Sequence, residues 1–188
     1  MIINTYVIIA GVNGTGKSSF RGVLDGQGAN LGHIIDPDEI AKKNNGNNFL
    51  AGKAAVNEIR NCLSKNITFT QETTLSGKTV LSTVKQARKQ GYYVILYYIG
   101  LNSSEESILR IDNRVKKGGH YIQSDDVKRR FSKRFEALKV ILDYCDEVIF
   151  YDNENGFVKV AEIKNNTFRY VNGYCPEWIK EFEKKNIQ

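Results

Sequence analysis

The chain has 188 residues, of which 41% are hydrophobic and 26% are charged, a composition typical of a globular domain of ordinary size. No apolar run approaches the roughly 20 residues that cross a bilayer, and no basic segment precedes an apolar one at the N-terminus, so we expect neither a membrane anchor nor a signal peptide. Three widely spaced cysteines predict neither a disulfide framework nor a zinc site, and they favour the reducing cytoplasm.

The most informative stretch lies near the start, where residues 11–18 read GVNGTGKS and match the phosphate-binding P-loop pattern GxxxxGK[ST]. A buried strand is predicted just before it at residues 5–10, and a helix after it from Lys17 to Leu24. Loop amides and the helix N-terminus attract anions, so we expect this segment to bind the phosphates of ATP, with Ser18 as a ligand of Mg²⁺. The expected nucleotide contacts are Asn13, Gly14, Thr15, Gly16, Lys17, Ser18 and Ser19.

Strands and helices alternate along the rest of the chain. This order predicts an α/β fold of the P-loop NTPase type, a three-layer sandwich with a mostly parallel five-stranded sheet and helices on both faces. Asp36 is expected to cap a helix that has Pro37 at its first position and Glu39 completing a capping box. The later predicted strands are 33–35, 67–71, 92–99 and 147–151, and the later predicted helices are 49–65, 76–90, 103–117 and one that begins at Ser124 with an apolar stripe reaching Leu142.

We expect one domain over residues 1–188. A small helical lid is expected at about 110–135, because Gly118 and Gly119 permit a bend between two predicted helices. The C-terminal hairpin and tail are expected at about 156–188, with strands at 157–163 and 167–171 and a short, frayed helix from Trp178.

Acidic side chains are predicted at the carboxyl ends of the strands, where an open parallel sheet binds its ligand. Asp38 follows the second strand and is the expected general base, whereas Asp36 is either a helix cap or a substrate ligand. Glu72 follows the third strand and can ligate magnesium through water, bind acceptor hydroxyls or be only a loop acid. A carboxylate base, Mg²⁺ and nearby cations are what transfer of a phosphoryl group requires.

Basic residues are concentrated between 110 and 139, where ten Lys/Arg and four Asp/Glu account for the whole net charge of +6. Such a segment can clamp a polyphosphate or hold the backbone of a nucleic acid. Arg130 and Arg134 share a helical face that can point into the cleft, so we expect catalytic and substrate contacts from them. Arg114 lies opposite the core-facing side of its helix, where a closing lid would recruit it. His120 can contact phosphate or be an exposed loop residue.

Five segments within roughly residues 5–153 form a recognisable set: 11–19, DPDEIA at 36–41, ETTLSG at 72–77, RVKKGGH at 114–120 and RRF at 129–131. In this order they resemble the zeta-toxin-like family of P-loop kinases, whose zeta toxins phosphorylate a hydroxyl of UDP-N-acetylglucosamine with ATP. The resemblance implies that Asp38 is the base, that Glu72 and Thr74 meet the sugar nucleotide, and that Arg114 stabilises the transferring phosphoryl group. It also implies an antitoxin protein as partner.

The function that the sequence predicts is an ATP- and Mg²⁺-dependent kinase acting on a hydroxyl of a small molecule such as a nucleotide sugar. Two alternatives stay open. One is a kinase of nucleic-acid ends, motivated by the basic segment, and the other is an ATP-binding regulator that acts through a protein partner. The basic segment has few aromatic residues free for base stacking, so nucleic acid is the less favoured ligand.

Overall fold

The computed structural model describes residues 3–44, 46–77, 79–119, 121–171 and 173–187 of the chain. These residues form seven strands: β1 (Thr5–Ala10), β2 (His33–Ile35), β3 (Phe69–Thr73), β4 (Tyr93–Gly100), β5 (Glu147–Asp152), β6 (Val158–Lys164) and β7 (Thr167–Tyr170). They also form eight helices: α1 (Lys17–Gly26), α2 (Pro37–Lys43), α3 (Asn48–Ser64), α4 (Thr79–Lys89), α5 (Ser104–Val115), α6 (Ser124–Ser132), α7 (Arg134–Leu142) and α8 (Glu177–Asn186).

All seven strands belong to one sheet, with the order β2-β3-β1-β4-β5-β6-β7. The first five in that order are parallel, which confirms the predicted five-stranded parallel sheet. β6 and β7 extend this sheet in antiparallel fashion beyond β5, so the expected hairpin forms two further strands instead of a separate appendage. The hairpin can be located from the sequence by its turn residues. Its position in the sheet depends on the pairing of β6 with β5, which the sequence does not show.

The sheet has helices on both faces, as expected for a three-layer sandwich. Side chains alternate along β1, so Tyr6 and Ile8 enter one core while Val7 and Ile9 enter the other. The larger core is closed by α3, α4, α7 and α8, and the smaller core is closed by Phe20 and its neighbours on α1. None of the described helices combines the length and the apolar character needed to cross a membrane.

The helix expected to run from Ser124 to Leu142 is in fact two helices, α6 and α7, separated at Lys133. Lys133 has φ −97° and ψ 4°, which leaves the helical region. Side chains bind the carbonyl groups at this break, because Ser132 Oγ donates to Arg129 O at 2.9 Å and Arg134 Nη1 donates to Phe131 O at 2.8 Å. The continuous apolar stripe therefore spans a bend that periodicity alone does not reveal.

The C-terminal tail was expected to be a short helix with a frayed end; the helix is present as α8, and its side chains belong to the core. Its Trp178, Ile179 and Phe182 are almost completely buried. Trp178 Nε1 donates to the buried Asp152 carboxylate at 2.8 Å, at the end of β5. The indole also packs against Gly100, where an added Cβ would lie only 2.4 Å from a ring atom. The tail therefore supports the sheet edge that carries the candidate site.

We predict that Trp178→Ala lowers the free energy of unfolding by about 3–5 kcal/mol, because it opens a cavity in the core and removes a donor from Asp152. Tyr174→Phe is the matched control. The Tyr174 hydroxyl also donates to Asp152, at 3.2 Å, but the residue is exposed, so we expect a loss below about 1 kcal/mol. Urea unfolding followed by circular dichroism measures both, and equal losses in the two variants would contradict a core role for α8.

Candidate phosphate and carboxylate site

The loop between β1 and α1 has the backbone shape of a phosphate-binding loop. Gly14 and Gly16 have φ values of +84° and +92°, a region that side chains with a Cβ rarely adopt. A Cβ at Gly14 would lie 2.4 Å from the Ser107 carbonyl oxygen, and one at Gly16 would lie 2.6 Å from Asn153 Nδ2. The loop therefore needs glycine at both positions, for conformation and for close approach of α5 and the segment after β5.

Lys17 folds its ammonium group back over this loop. Its Nζ donates to the carbonyl oxygens of Gly11 at 3.1 Å and Val12 at 3.2 Å. Burial lowers the pKa of Lys17, and the negative charges of Glu72 and Asp38 act in the opposite direction. An anion that entered the loop would stabilise the charged ammonium, so the site favours a phosphate group at this point.

Carboxylates line the same cavity as the loop. Asp36 is buried and caps α2, accepting from the backbone N–H of Asp38 at 2.9 Å, as expected. Burial raises its pKa, and the Asp38 charge raises it further. Glu39 was expected to complete a capping box, but its carboxylate accepts from Arg21 Nη2 at 2.7 Å. The first turn of α2 is therefore tied to α1 as well as capped.

Glu72, at the end of β3, is the most perturbed acid of the site. It is 3% exposed, and its Oε2 accepts from Ser18 Oγ at 2.8 Å. Burial, followed by the nearby Asp36 charge, raises the pKa of Glu72 to about 7. Such a shift in a cleft is typical of a functional carboxylate, although ion-pair networks also produce it.

The Ser18–Glu72 pair fits a magnesium ion. Glu72 Oε1 is buried, and no group among the described residues makes a hydrogen bond to it; Arg21 Nε lies 3.1 Å away as an ion-pair contact outside hydrogen-bond geometry. A hydroxyl and a carboxylate with an unsatisfied oxygen are the oxygen donors that Mg²⁺ prefers in nucleotide sites. Asp36 and Asp38 line the same cavity, but within the described part of the chain no three His, Cys, Asp or Glu residues are grouped closely enough to hold a metal ion by themselves.

These groups surround a cavity of about 450 Å³ in front of the loop. Its lining combines the loop, the carboxylates, and basic residues of α5 with the glycines after it. The cavity is lined by Asn13, Gly14, Gly16, Lys17, Ser18, Ser19, Asp36, Asp38, Glu39, Lys42, Glu72, Arg110, Ile111, Arg114, Lys117, Gly118 and Gly119. Thr15, the remaining expected nucleotide contact, is buried behind the loop with its hydroxyl donating to Val12 O at 3.0 Å.

A second cavity, of about 540 Å³, adjoins the first and shares Asn13 and Asp38 with it. Arg130 lines this second cavity, and its Nη1 donates to Asn13 Oδ1 at 2.6 Å, joining α6 to the loop. The remaining walls come from α2, α3, the segment before α6 and the first turn of α6. They consist of Pro37, Ala51, Gly52, Tyr121, Ile122, Gln123 and Asp126.

Three expected substrate contacts are placed differently or not described. Thr74 is absent from the linings of both cavities, and its hydroxyl lies 2.8 Å from that of Ser76. Arg134 is committed to the C-terminal helix, because its Nη2 donates to Glu181 at 2.6 Å and its guanidinium stacks on Phe131. Arg134 follows the break between α6 and α7 and contacts α8. A prediction that assumed one continuous helix could not locate this contact. His120 lies outside the described residues.

Two cationic residues of the site were missed or set aside on sequence grounds. Arg21 contacts Glu39 and Glu72, and its position four residues after Lys17 on one helix is the signal that could have found it. By its helical pattern Arg110, like Arg114, lies opposite the core-facing side of α5, where a side chain is usually exposed unless a closing lid recruits it. Arg110 lines the first cavity, where its Nη2 donates to the Glu154 carbonyl oxygen at 3.0 Å.

Solved structures share this architecture. A chain of the AvrRxo1-ORF1:AvrRxo1-ORF2 complex crystallised with sulphate ions matches 96% of this chain at 18% identity and a TM-score of 0.67, and the complex solved with ATP gives 0.67 at 17% identity. This chain spans 63% of the length of those chains. A chain of the PezAT chromosomal toxin–antitoxin system of Streptococcus pneumoniae matches 99% of this chain, and 85% of its own length, at 17% identity and a TM-score of 0.65. The chain therefore shares its fold with these chains, in agreement with the predicted α/β fold with a mostly parallel sheet.

Sequence comparison gives a nearer relative. An uncharacterized protein of Haemophilus influenzae (strain Rd) is 38% identical over 133 residues, which cover 68% of this chain and 93% of that protein. The chain belongs to one family with this Haemophilus influenzae protein. No family model matches the chain.

The raised pKa of Glu72 predicts a pH dependence of stability in the metal-free protein. The folded chain holds the Glu72 proton up to about pH 7, whereas the ordinary value is 4.5. The folded state therefore binds more protons than the unfolded state between these values, and the contribution to stability is lost as the pH rises through 7. We expect the free energy of unfolding of wild type to fall by about 2–3 kcal/mol more than that of Glu72→Gln between pH 5 and pH 8.

Urea unfolding in the presence of a chelator measures this difference. Glu136→Gln, which removes an exposed acid on α7, is the control and should keep the wild-type slope. The ionisable groups that all three proteins share cancel in the comparison. Identical pH slopes for wild type and Glu72→Gln would refute a raised pKa at Glu72.

Proposed function

We propose that the chain is a kinase that transfers the γ-phosphoryl group of ATP to a hydroxyl of a small molecule. The observation that carries the proposal is the junction of two cavities at Asp38 and Asn13. The first cavity contains the phosphate loop, and the second contains none of it except Asn13. A carboxylate between a phosphate site and a separate pocket is the arrangement that a transfer between two substrates needs.

On the donor side, the loop amides and Lys17 would hold the β and γ phosphates, as in other P-loop proteins. Ser18 and Glu72 would hold Mg²⁺. When bound, Mg²⁺ neutralises part of the negative charge of the triphosphate. Arg110 and Arg114 also line the first cavity, and from there they would stabilise the charge on the transferring group.

On the acceptor side, Asp38 would take the proton of the attacking hydroxyl. It is exposed in the first turn of α2, whose N–H groups are capped by Asp36, so its own carboxylate is open to both cavities. Arg130 would approach the same junction from α6 through its bond to Asn13. These roles place a base and a cation on either side of the point where the hydroxyl would meet the γ phosphate.

The second cavity has the size of a small-molecule site, which is typically about 300–1,000 Å³. Its wall combines an exposed aromatic ring, Tyr121, with polar groups of Gln123, Asp126 and Arg130. This lining suits a polar metabolite that carries a planar ring and an anionic group. Because the motifs resemble those of zeta toxins, UDP-N-acetylglucosamine is the first acceptor to be tested.

The experiment is incubation with γ-labelled ATP and Mg²⁺ in three arms: UDP-N-acetylglucosamine, a bacterial metabolite extract and oligonucleotides with free 5′-hydroxyl ends. A labelled small molecule in either of the first two arms supports the proposal. Label on the oligonucleotide alone would favour an end kinase. ATP binding without any labelled product would overturn the proposal and favour an ATP-binding regulator.

Two substitutions separate nucleotide binding from transfer. Lys17→Ala should abolish ATP binding, because it removes the cation that faces the phosphates. Asp38→Asn should bind ATP as wild type does but transfer about 100-fold more slowly, since a general base contributes at least that factor. Isothermal titration measures binding, and release of ADP measures turnover. Wild-type turnover in Asp38→Asn would remove Asp38 from the role of base.

We also infer that a small antitoxin protein is a partner of the chain. The supporting neighbours are the PezAT toxin–antitoxin system and the AvrRxo1-ORF1:-ORF2 complex.

A toxic kinase would slow the growth of a bacterial host on induction, and Lys17→Ala would relieve that effect because it cannot bind ATP. Growth curves at equal expression, checked by immunoblot, measure this. Normal growth with wild type, or equal arrest with both proteins, would contradict a toxic kinase activity.

A further inference from the structure

Arg21 occupies a position between the phosphate loop and the acidic wall. It lies one turn after Lys17 on α1, and its side chain is 18% exposed. Its Nη2 is 2.7 Å from Glu39 Oε1 and 3.9 Å from Asp36 Oδ2, while its Nε is 3.1 Å from Glu72 Oε1. One guanidinium therefore contacts carboxylates from two elements, α2 and β3.

These contacts bracket Asp38, which lies between Asp36 and Glu39 in the first turn of α2. α2 has only seven residues, and among its neighbours it packs chiefly on α3. Its orientation relative to the phosphate loop therefore depends strongly on side-chain contacts to α1. Arg21 supplies these through Glu39 and Asp36.

The environment of Arg21 distinguishes it from an ordinary surface ion pair, which contributes little. Asp36 and Glu72 are both nearly buried, and their like charges repel at close range. A planar guanidinium can contact two carboxylates at once with fixed geometry, which an ammonium cannot do. Lys17 is also a cation near these acids. A bound phosphate would interact with Lys17, so that Arg21 would remain to hold Asp36 and Glu72 together.

We propose that Arg21 is a positioning residue that holds Asp38 and Glu72 in register with the phosphate loop. It acts through Asp36, Glu39 and Glu72, without contacting the acceptor. The inference rests on the proposed phosphoryl transfer. It goes further by assigning the alignment of the base to a residue of the P-loop helix.

The test compares wild type, Arg21→Gln, Arg21→Lys and Asp38→Asn, and the double variant Arg21→Gln/Asp38→Asn. The probe is ATP·Mg²⁺ with water as acceptor, so that no knowledge of the metabolite is needed. ADP release gives kcat and KM, and isothermal titration gives the affinity for ATP. Lys180→Gln is the matched control, since it removes an exposed cation paired with Glu177 on α8.

We expect Arg21→Gln to lower kcat by about 10- to 100-fold, the effect of misplacing a catalytic group by roughly 1 Å. The affinity for ATP should change less than about threefold, because Arg21 does not line the cavity that holds the loop. Arg21→Lys should recover part of kcat, and Lys180→Gln should match wild type. The double variant should be no slower than Asp38→Asn, because two residues that act through one another are not additive.

Several results would overturn the inference. One is an unchanged kcat in Arg21→Gln. Another is a loss of kcat that is matched by an equal loss of ATP affinity or of folded protein, because Arg21 would then only support the structure. Additive losses in the double variant would show that Arg21 does not act through Asp38. ATP binding by wild type with transfer neither to water nor to any of the three acceptor arms described above is a different result, since it defeats the proposed function itself.

Discussion

The site depends on the parallel pairing of β1 with β3. That pairing sets Ile9 opposite Glu72 and Ala10 opposite Thr73, and the N–H of Gly11 donates to the Thr73 carbonyl at 3.3 Å. Glu72 therefore leaves the strand on the face covered by α1, where Ser18 and Arg21 are found. A shift of one residue would turn Glu72 to the opposite face, away from the phosphate loop. The register of two central strands thus fixes the chemistry at their ends.

Most elements near the loop could be predicted from the sequence because their signals are local. β1 and β2 have the predicted bounds, Asp36 caps α2, and glycines stand where the loop has positive φ. Residues that are close in the chain carry these signals, through alternation, capping and turn geometry. The placement of Asp36, Asp38 and Glu72 in one cavity also follows from the rule that ligands bind at the carboxyl ends of parallel strands.

The remaining features could not be predicted because they depend on contacts between distant residues. Arg134 and Glu181 are 47 residues apart, and Arg130 and Asn13 are 117 apart. Helical periodicity assigned both arginines to one cleft-facing side. The break at Lys133 separates them, so that only Arg130 reaches the loop while Arg134 supports α8. The spacing of apolar residues predicts which side of a helix is buried. It does not predict a break in the helix, and a break changes which residues that side contacts.

The basic segment is divided between the cavities and the protein surface. Arg110, Arg114 and Lys117 line the first cavity, whereas Arg129 forms an exposed pair with Asp126 at 2.6 Å. These cations therefore line the same cavity as Glu72 and the other acids, a combination that suits a ligand carrying several negative charges together with a metal ion.

The glycines after α5 contribute to the lining of that cavity through close packing as well as through flexibility. Gly118 has φ +84°, which favours glycine, and a Cβ at Gly119 would lie 2.5 Å from Arg114 Cγ. The chain at Gly119 thus passes directly against the stem of Arg114. A larger residue there would displace the arginine that faces the phosphate loop. The sequence predicts that the two glycines permit a bend between two helices. The packing gives a second explanation for glycine at position 119, because the absence of a Cβ there lets the chain lie against the Arg114 side chain.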